Sequence, residues 1–458
     1  MTRVAILTAD RLGQQMSGPA IRALELGRVV GSNHDVRVIS TAPIDGHVDG
    51  VEVCEALSVA HVRQHQRWSD VMVVQGLVLR AHPRIQRSST VLVVDLYDPF
   101  HLEHLELRVG EPSQPGLREA SFILTAVNEQ LSRGDFFLCA SEKQRDLWLG
   151  HLAALGRINP LTYAVDPTLR GLVDVVPFGL PARLPEAGAS PLRGAIPGIA
   201  TGDLVILWGG GLYPWFDPLL LVRAVARLAP DLPVRLVFPG GAHPNPNAPP
   251  MTTSEEVRVL ANELGLVGRN VFFLDRWVPY ELRDGLFLDA DIGVTTHRDH
   301  LETRFAFRTR MLDYIWTRLP VVTTAGDTMA ELVSSRGLGM VVQPGDEQAL
   351  ADSMAVALTD ASWRQRVQRN MEELRPALTW MAVAQPLLRF LERPEPAPDL
   401  RRITDHTRPR LAAGAPGAAA IFKHDVDAAK RTIHGAGWRG LWATIRRRTL
   451  LPGLRSKT

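Results

Sequence analysis

The stretch LETRFAFRTRMLDYIWTRLPVVTTAGD, residues 301–327, decides how the rest of the chain is interpreted. A polar, arginine-rich loop from Glu302 to Arg308 is predicted to lead into a helix over residues 309–317. A buried strand is predicted to follow at 321–324. The N-terminus of a helix presents unpaired N–H groups with positive dipole character, which favour a phosphate group. The stretch therefore predicts an anion-binding loop.

Three side chains of this stretch are candidate ligands for a nucleotide. Arg308 and Arg310 carry planar guanidinium groups that can bind a phosphate through two hydrogen bonds. Asp313 lies one turn and a residue beyond Arg308, where its carboxylate can accept hydrogen bonds from ribose hydroxyls. The alternative is an ordinary helix with solvated arginines.

The same stretch resembles the signature of the retaining, nucleotide-sugar-dependent glycosyltransferases of the GT-B fold, family 4. That signature is a Glu, seven residues and a second Glu, then an Ala-Met-type helix and a Pro-Val-Val strand. With Pro320 as the anchor, Asp313 takes the second acidic position, which binds the ribose in the family. The first position falls on Phe305, which cannot do that work, and Glu302 is the expected substitute.

The resemblance implies an α/β fold of the GT-B type. Two Rossmann-like domains would face each other across a cleft, with an acceptor mainly on the first and a nucleotide sugar mainly on the second. It also implies transfer of the sugar to an acceptor hydroxyl with retention, without a metal ion or another cofactor. The missing acid at Phe305 keeps other classes open. These are a nucleotide-sugar epimerase or hydrolase, and a catalytically degenerate scaffold or adaptor.

The length of 458 residues and the alternation of apolar segments with helical patterns predict two parallel sheets with right-handed crossovers. A linker rich in Pro and Gly, residues 181–202, separates them. We expect an acceptor domain at 1–200, a nucleotide-sugar domain at 201–375, a crossover helix at 376–395, and a linker with a basic tail at 396–458. The predicted strands are 4–8, 36–40, 71–74, 91–95, 136–140, 173–180 with its turn, 204–208, 234–238, 271–274, 290–296, 321–324 and 339–342.

A glycine-bearing loop, residues 9–19, lies between the first strand and a helix predicted at 20–30. This is the Rossmann-like arrangement for a ligand at the end of a strand. The strict dinucleotide pattern of glycines is absent, so a nicotinamide cofactor is not implied. Ser17 and Gly18 match the family's loop between donor phosphates and acceptor, and the alternative is a tight turn.

The segment DLYDPFH, ending at His101, is the N-terminal candidate for chemistry. It places two carboxylates and an imidazole at the end of a strand, where open parallel sheets bind their ligands. An imidazole can accept a proton from an acceptor hydroxyl near neutral pH. His101 and Asp98 are therefore the candidate catalytic residues beside the acceptor, and Glu302 is the candidate beside the sugar. The alternative is that Asp95 and Asp98 cap the next helix and that His101 is solvated.

The second half contains two further candidate donor-binding segments. Gly209-Gly210-Gly211 follows a strand and permits close approach of the backbone to a diphosphate. Family members often carry a base soon after this loop, and here Arg308 and Arg310 are expected to supply that charge. Arg276 and Trp277 resemble the family's base-binding segment, in which Trp277 either stacks on the base or belongs to the core.

The remaining features predict a metal-free protein of a reducing compartment. Cys54 and Cys139 have no metal-type spacing, which favours the cytoplasm. The apolar run near the start of the sequence is too short for the core of a signal peptide. No apolar run reaches the ~20 residues of a membrane span. His297 and His300 beside Glu302 are spaced too loosely to predict a metal site.

Positive charge is concentrated at the C-terminus. Residues 401–458 hold thirteen Lys and Arg against three Asp and Glu, which leaves 38 against 46 in residues 1–400. An acidic body is unlike a nucleic-acid-binding core, so no nucleic-acid partner is expected. Residues 435–458 mix Trp and Leu with Arg, typical of an interfacial helix at the inner face of an anionic membrane. The alternatives are a partner-docking tail and a packed helix. The expected acceptor is lipid-linked, a polysaccharide or a small molecule.

Overall fold

The protein is described here from a computed structural model. The residues that it describes are 1–109, 113–186, 188, 190–240, 252–275 and 278–401. Two predicted base-binding residues, Arg276 and Trp277, lie outside the described residues, and so does the basic tail from 402 onwards.

The first half of the chain forms a parallel sheet with the strand order β3-β2-β1-β4-β5-β6-β7. Four of these strands (β1, β4, β5 and β6) are buried almost throughout, because helices cover both faces, and they read as continuous apolar runs. The predicted Rossmann-like sheet is confirmed. Its strands are β1 (Arg3–Thr8), β2 (Asp35–Ser40), β3 (Glu52–Glu55), β4 (Val71–Gln75), β5 (Val91–Asp95), β6 (Phe136–Cys139) and β7 (Val173–Val175).

The edge strand β3 was not predicted. It pairs in parallel with β2, but its sequence is EVCE and its two glutamates are exposed. A four-residue strand with two apolar residues has too weak an apolar pattern to stand out from a loop. Charged residues on a short edge strand are the usual protection against pairing with another chain.

The second half forms a second parallel sheet, with the order β10-β9-β8-β11-β12-β13. The predicted linker at 181–202 lies between β7 and the first strand of this sheet. The strands are β8 (Leu204–Leu207), β9 (Val234–Pro239), β10 (Val271–Leu274), β11 (Ile292–Thr295), β12 (Val321–Thr324) and β13 (Gly339–Val342).

Helices connect the strands of both sheets. In the first half they are α1 (Gly18–Val30), α2 (Val59–Trp68), α3 (Val78–Ala81), α4 (Pro83–Gln86), α5 (Phe100–Glu106), α6 (Gln114–Arg133), α7 (Glu142–Ala154) and α8 (Pro160–Val165). In the second half they are α9 (Pro218–Leu228), α10 (Thr252–Glu263), α11 (Arg283–Leu288), α12 (Leu301–Phe305), α13 (Arg310–Trp316), α14 (Thr328–Arg336), α15 (Glu347–Thr359) and α16 (Ala361–Leu374). The C-terminal helices are α17 (Trp380–Val383), α18 (Gln385–Glu392) and α19 (Pro398–Arg401).

Two predicted elements differ from the structure. The arginine-rich loop expected from Glu302 to Arg308 contains the short helix α12, which begins after His300, whose Nδ1 accepts from the N–H of Thr303 (3.2 Å). Helical periodicity also spans residues 346–372 of the sequence, and the structure has two helices there, because Asp360 ends one and caps the next. Such a carboxylate cap satisfies an amide that has no partner within the helix.

The C-terminal segment crosses back to the first half, as the resemblance implied. Leu180 and Trp380 are joined there, since the N–H of Trp380 donates to the carbonyl of Leu180 (3.0 Å). Phe390 of α18 stacks on Phe136 of β6 with ring centroids 4.5 Å apart. The crossover is interrupted between α17 and α18 and is not one continuous helix.

The first residues of the predicted linker are packed against the first half. The N–H of Ala397 donates to Asp135 (2.9 Å), and Arg157 forms a buried ion pair with Asp399 (2.5 Å). This segment, which the sequence assigns to the linker, is therefore held in place up to α19. Within the described residues, no helix has both the length and the apolar character that a bilayer crossing requires.

Candidate active site

A cleft of about 550 Å³ lies between the two halves and is lined by both of them. Its volume falls within the range of small-molecule sites, roughly 300–1,000 Å³. Most of the predicted site residues meet here. They are Ser17, Gly18, Asp98, Gly209, Gly210, Gly211, Glu302, Arg308, Arg310 and Asp313.

Arg310 is a buried cation at the start of α13, with 8% of its surface exposed. Its Nη2 donates to the carbonyl oxygen of Gly211 (2.9 Å), and its guanidinium lies over the rings of Phe216 and Trp208. Nη1 has no hydrogen-bond partner, and no carboxylate of the described residues lies within 4.0 Å of the group. Burial lowers the pKa of Arg310 to about 10. Because a buried charge without a counter-ion is costly, the cleft beside Arg310 fits an anion.

Two amides of the glycine loop already have partners within the protein. The N–H of Gly209 donates to Oη of Tyr314 (2.7 Å), and that of Gly210 donates to the carbonyl of Trp208 (2.9 Å). A Cβ at Gly209 would lie 2.7 Å from the ring of Phe287, so close packing explains that glycine. In this arrangement the loop offers close approach to a ligand, while the amides of Gly209 and Gly210 are engaged elsewhere.

Arg308 is paired with carboxylates, unlike Arg310. Its Nη1 and Nη2 donate to the two oxygens of Glu302, at 2.9 and 2.6 Å. Its Nε lies 3.6 Å from Oδ2 of Asp327. Burial raises the pKa of Asp327 to about 6, against the opposing effect of Arg308. Glu302 is 2% exposed and Arg308 5%, so the two charges are neutralised inside the wall of the cleft.

Asp313 is oriented by an arginine that sequence reasoning missed. Its Oδ1 accepts a hydrogen bond from Nε of Arg283 (2.9 Å), which lies in α11. Arg283 is itself held over the ring of Tyr280, 3.7 Å from the centroid, and donates to that residue's carbonyl (2.6 Å). The second oxygen of Asp313 can accept from a hydroxyl of a ligand, which is the chemistry predicted for the ribose.

Asp98 lies in the cleft beside a second carboxyl group, Glu103 of α5, which was also missed. Burial, and after it the negative charge of Glu302, raises the pKa of Asp98 to about 7. Burial, and after it the charge of Asp98, raises the pKa of Glu103 well above its usual range. The two carboxyl groups are therefore coupled, because the charge of one disfavours the charge of the other. Such a pair can both donate to and accept from a hydroxyl.

His101 lies away from the cleft, contrary to the expectation. Its ring packs against Trp148, with centroids 5.5 Å apart, and it is not among the residues that line the cleft. Burial, with a smaller effect of His151, lowers its pKa to about 4. On a helix, residues two apart point about 200° from each other. With Glu103 on the cleft side of α5, His101 therefore faces the interior of the first half.

Asp95 is structural and does not cap α5. Arg22 of α1, which is fully buried, donates to both oxygens of Asp95 at 2.7 and 2.8 Å. The same guanidinium donates to the carbonyls of Val176 and Pro177. This network ties the ends of β5 and β7 to α1.

Ser17 and Gly18 contribute the N-terminus of α1 to the cleft. The hydroxyl of Ser17 donates to the carboxylate of Asp10, another cleft residue. At Gly18 an added Cβ would meet no atom within 4 Å, so this glycine leaves space and is not required for packing. Both residues are thus placed to contact a ligand from the first half.

The two halves touch each other beside the cleft. Nε2 of Gln144 donates to the carbonyl of Phe305 (2.8 Å) and to that of Tyr97 (2.9 Å). Oη of Tyr280 lies 3.3 Å from Oε1 of Glu25 on α1. Phe305, which replaces the family's acid, therefore contributes a backbone contact between the halves. The described residues contain no group of three or more His, Cys, Asp or Glu placed to hold a metal ion.

Glu103 and Arg283, which the sequence analysis did not single out, differ in how far the sequence could have indicated them. Glu103 stands five positions after Asp98, and counting helical positions from the start of α5 would have favoured it over His101. Arg283 is 30 positions from Asp313 on another helix, and no local pattern connects them. Only the packing of α11 against α13 brings that pair together.

Comparison with known proteins identifies part of the chain. Residues 203–360 match the profile of a family described as glycosyl transferases group 1. The chain carries a group 1 glycosyltransferase domain. That domain includes β8 to β13, and it supplies Arg310, Asp313 and the glycine loop to the cleft.

Curated relatives of this group 1 glycosyltransferase domain match over part of their length. The D-inositol 3-phosphate glycosyltransferase of Corynebacterium glutamicum is 29% identical over 193 residues. The match covers 42% of this chain and 43% of the relative, so it spans less than half of that protein's length.

Solved structures resemble nearly the whole described chain. Sucrose-phosphate synthase from Thermosynechococcus elongatus has a TM-score of 0.63 at 17% identity, covering 86% of this chain and 99% of that one. Anabaena HepE, in a complex with UDP-glucose, has a TM-score of 0.61 at 17% identity, covering 86% and 100%. Likeness at such low identity concerns the fold. The predicted GT-B fold, two Rossmann-like domains across a cleft, is confirmed.

Proposed function

We propose that this protein transfers a sugar from a nucleoside-diphosphate sugar to a hydroxyl group of an acceptor, with retention at the anomeric carbon and without a metal ion. The observation that carries the proposal is Arg310, a buried cation with an unpartnered guanidinium nitrogen in the cleft of a group 1 glycosyltransferase domain. A phosphate oxygen is an acceptor with which such a group forms strong, charge-assisted hydrogen bonds.

The donor is held by the second half. Arg310 neutralises the negative charge that develops on the departing nucleoside diphosphate, which is the role a metal ion has in other enzymes. Asp313, oriented by Arg283, accepts hydrogen bonds from the ribose hydroxyls. Glu302 lines the cleft and accepts hydrogen bonds from the sugar hydroxyls.

The acceptor is held by the first half, at the carboxyl pair of Asp98 and Glu103. The pair orients the acceptor hydroxyl by a hydrogen bond. The bond between that oxygen and the anomeric carbon forms on the face from which the diphosphate leaves, and the hydroxyl proton passes to a departing phosphate oxygen. Contacts such as Gln144 to Phe305 keep the two halves together, and this excludes water that would otherwise take the sugar.

Nucleotide binding is the first test. We would measure the thermal stability of the protein with UDP, GDP, ADP and TDP and with their sugars. A ligand at 100 times its Kd stabilises by about 2.7 kcal/mol. Uridine nucleotides come first, because the structure of HepE holds UDP-glucose. If none of these nucleotides or their sugars raises the thermal stability of the protein, the proposal is contradicted.

Transfer is the second test. The donor that stabilises the protein most is incubated with a panel of acceptors, beginning with inositol phosphates because of the name of the curated relatives. Product NMR spectra report the anomeric configuration, and reactions with EDTA report the need for a metal. Free sugar released without any acceptor would indicate a hydrolase. Nucleotide binding without turnover of any donor would indicate an adaptor.

A further inference from the structure

We infer that Arg308 is a positioning residue that holds Glu302 against the transferred sugar, and that of the two arginines near α13 it is Arg310 that binds the diphosphate. The inference rests on the proposed function. It assigns different roles to two residues that the sequence presents as a matched pair.

The hydrogen bonds of the two guanidinium groups differ. Arg308 forms a bidentate ion pair with Glu302, in which Nη1 and Nη2 donate to the two carboxylate oxygens at 2.9 and 2.6 Å. Its Nη2 also lies 3.3 Å from Oγ1 of Thr303. Its remaining nitrogen, Nε, has no hydrogen-bond partner but lies 3.6 Å from Oδ2 of Asp327. A diphosphate would have to compete with two carboxylates for this group. Nη1 of Arg310, by contrast, has no hydrogen-bond partner, and no carboxylate of the described residues lies within 4.0 Å of its guanidinium group.

Glu302 needs such a partner because of its surroundings. It is 2% exposed, and it belongs to α12, a helix of five residues. Its negative charge raises the pKa values of Asp98, Glu103 and Asp327. The charged and titratable groups that face it are Asp98 and Glu103 of α5, His300 at the start of its own helix, Asp327 before α14, and Arg308.

A buried carboxylate is costly unless a cation pairs with it. Arg308 supplies that cation and also fixes the plane of the carboxylate, because both of its terminal nitrogens bind that group at once. Glu302, three positions before Phe305, can thereby take the role of the acid that is missing at Phe305.

The experiment compares Arg308→Gln and Arg310→Gln in the full-length protein. The probes are UDP, measured by calorimetry, and UDP-glucose, measured by release of UDP with acceptor and with water. We expect Arg308→Gln to change the Kd for UDP less than about twofold and to lower kcat by about 100-fold, since a misplaced group costs this much. Arg310→Gln should raise the Kd for UDP by at least about tenfold, because charged hydrogen bonds are lost.

Three further variants separate positioning from mere structural support. Arg308→Lys should recover part of kcat, because it keeps the charge but loses the fork. Glu302→Gln should lower kcat and change the Kd for UDP as little as Arg308→Gln does, since both substitutions act on the same contact with the sugar. The double variant, Glu302→Gln with Arg308→Gln, should be about as active as Glu302→Gln alone. It also removes the buried unpaired carboxylate, so it tests UDP binding if Arg308→Gln fails to fold.

The outcomes separate this inference from the proposed function. If Arg308→Gln, or the double variant, weakens UDP binding as much as Arg310→Gln does, the inference is overturned while the proposed function stands. Wild-type kcat in Arg308→Gln overturns it as well. If none of UDP, GDP, ADP and TDP binds the wild-type protein, both the proposed function and the inference are overturned.

Discussion

Replacement of Arg310 by Gln should have opposite effects on stability and on nucleotide binding. A pKa of about 10 in place of 12.5 means that folding disfavours the charged form of Arg310 by roughly 3 kcal/mol. The substitution removes that cost. It also removes a hydrogen bond to Gly211, worth about 1 kcal/mol, and contacts with two rings, worth roughly 1–2 kcal/mol. The nucleotide-free variant should therefore be as stable as the wild type, or more stable by up to about 1 kcal/mol.

Nucleotide binding should change in the other direction. Hydrogen bonds to charged groups contribute about 1.5–3 kcal/mol in buried sites, which corresponds to roughly 10- to 100-fold in Kd. Arg310 is enclosed by Phe216 and Trp208, so water screens its charge little. We expect the Kd of the variant for UDP to rise by this factor.

The assay is denaturant unfolding with and without UDP, together with calorimetric titration of UDP. Arg298→Gln is a matched control, because it removes the same group from an exposed position of the same half. It should change neither quantity. A variant at Arg310 that binds UDP like the wild type would refute the reasoning. So would a loss of more than about 2 kcal/mol in the absence of nucleotide, since Arg310 would then support the fold.

Three further predictions concern the other cleft residues and His101. Asp98→Asn should flatten the pH dependence of stability. Asp98 and Glu103 keep a proton that the unfolded chain loses near pH 4, so the contribution of this pair to the free energy of unfolding falls as the pH rises from about 4 to about 7. Denaturant titrations that show the same slope in the variant and the wild type would contradict this. His101→Gln should leave kcat at pH 7 within about threefold of the wild type. It should also remove one loss of stability that the wild type suffers as the pH falls from 6.5 to about 4, where the unfolded chain takes up a proton and buried His101 does not. Asp313→Asn should abolish a preference for UDP over 2′-deoxy-UDP, which calorimetry measures; a wild type without that preference would rule out the ribose contact of Asp313 and make its pairing with Arg283 structural.

The buried strands were predictable because burial on both faces requires an unbroken apolar run. VAILT and VLVVD, in β1 and β5, carry that pattern, and their ends locate the cleft. The exposed edge strand β3 had no such requirement and was missed. The sequence predicts a loop where the structure has the short helix α12, because five residues are too few to show helical periodicity.

The membership of the cleft was more predictable than the role of each side chain in it. Arg308 and Arg310 are two positions apart in sequence and have the same side chain. Only the fold shows that Arg308 is the one that lies against Glu302 and Asp327. The pairing of Arg283 with Asp313 depends on two helices packed together and leaves no trace in local sequence. His101 was chosen for its chemistry, but the direction of its side chain depends on the helical position, which separates it from Glu103.

The return of the C-terminal segment makes the first structural unit discontinuous in the gene. Phe390 covers Phe136, and Asp399 neutralises Arg157, although more than 200 residues, the whole second sheet among them, intervene in each case. A fragment ending near residue 200 would expose an aromatic face and leave the buried guanidinium of Arg157 without its counter-ion. A chimera that exchanges the N-terminal unit therefore requires two cuts, one on each side of the second sheet, with residues 376–401 carried alongside the N-terminal part.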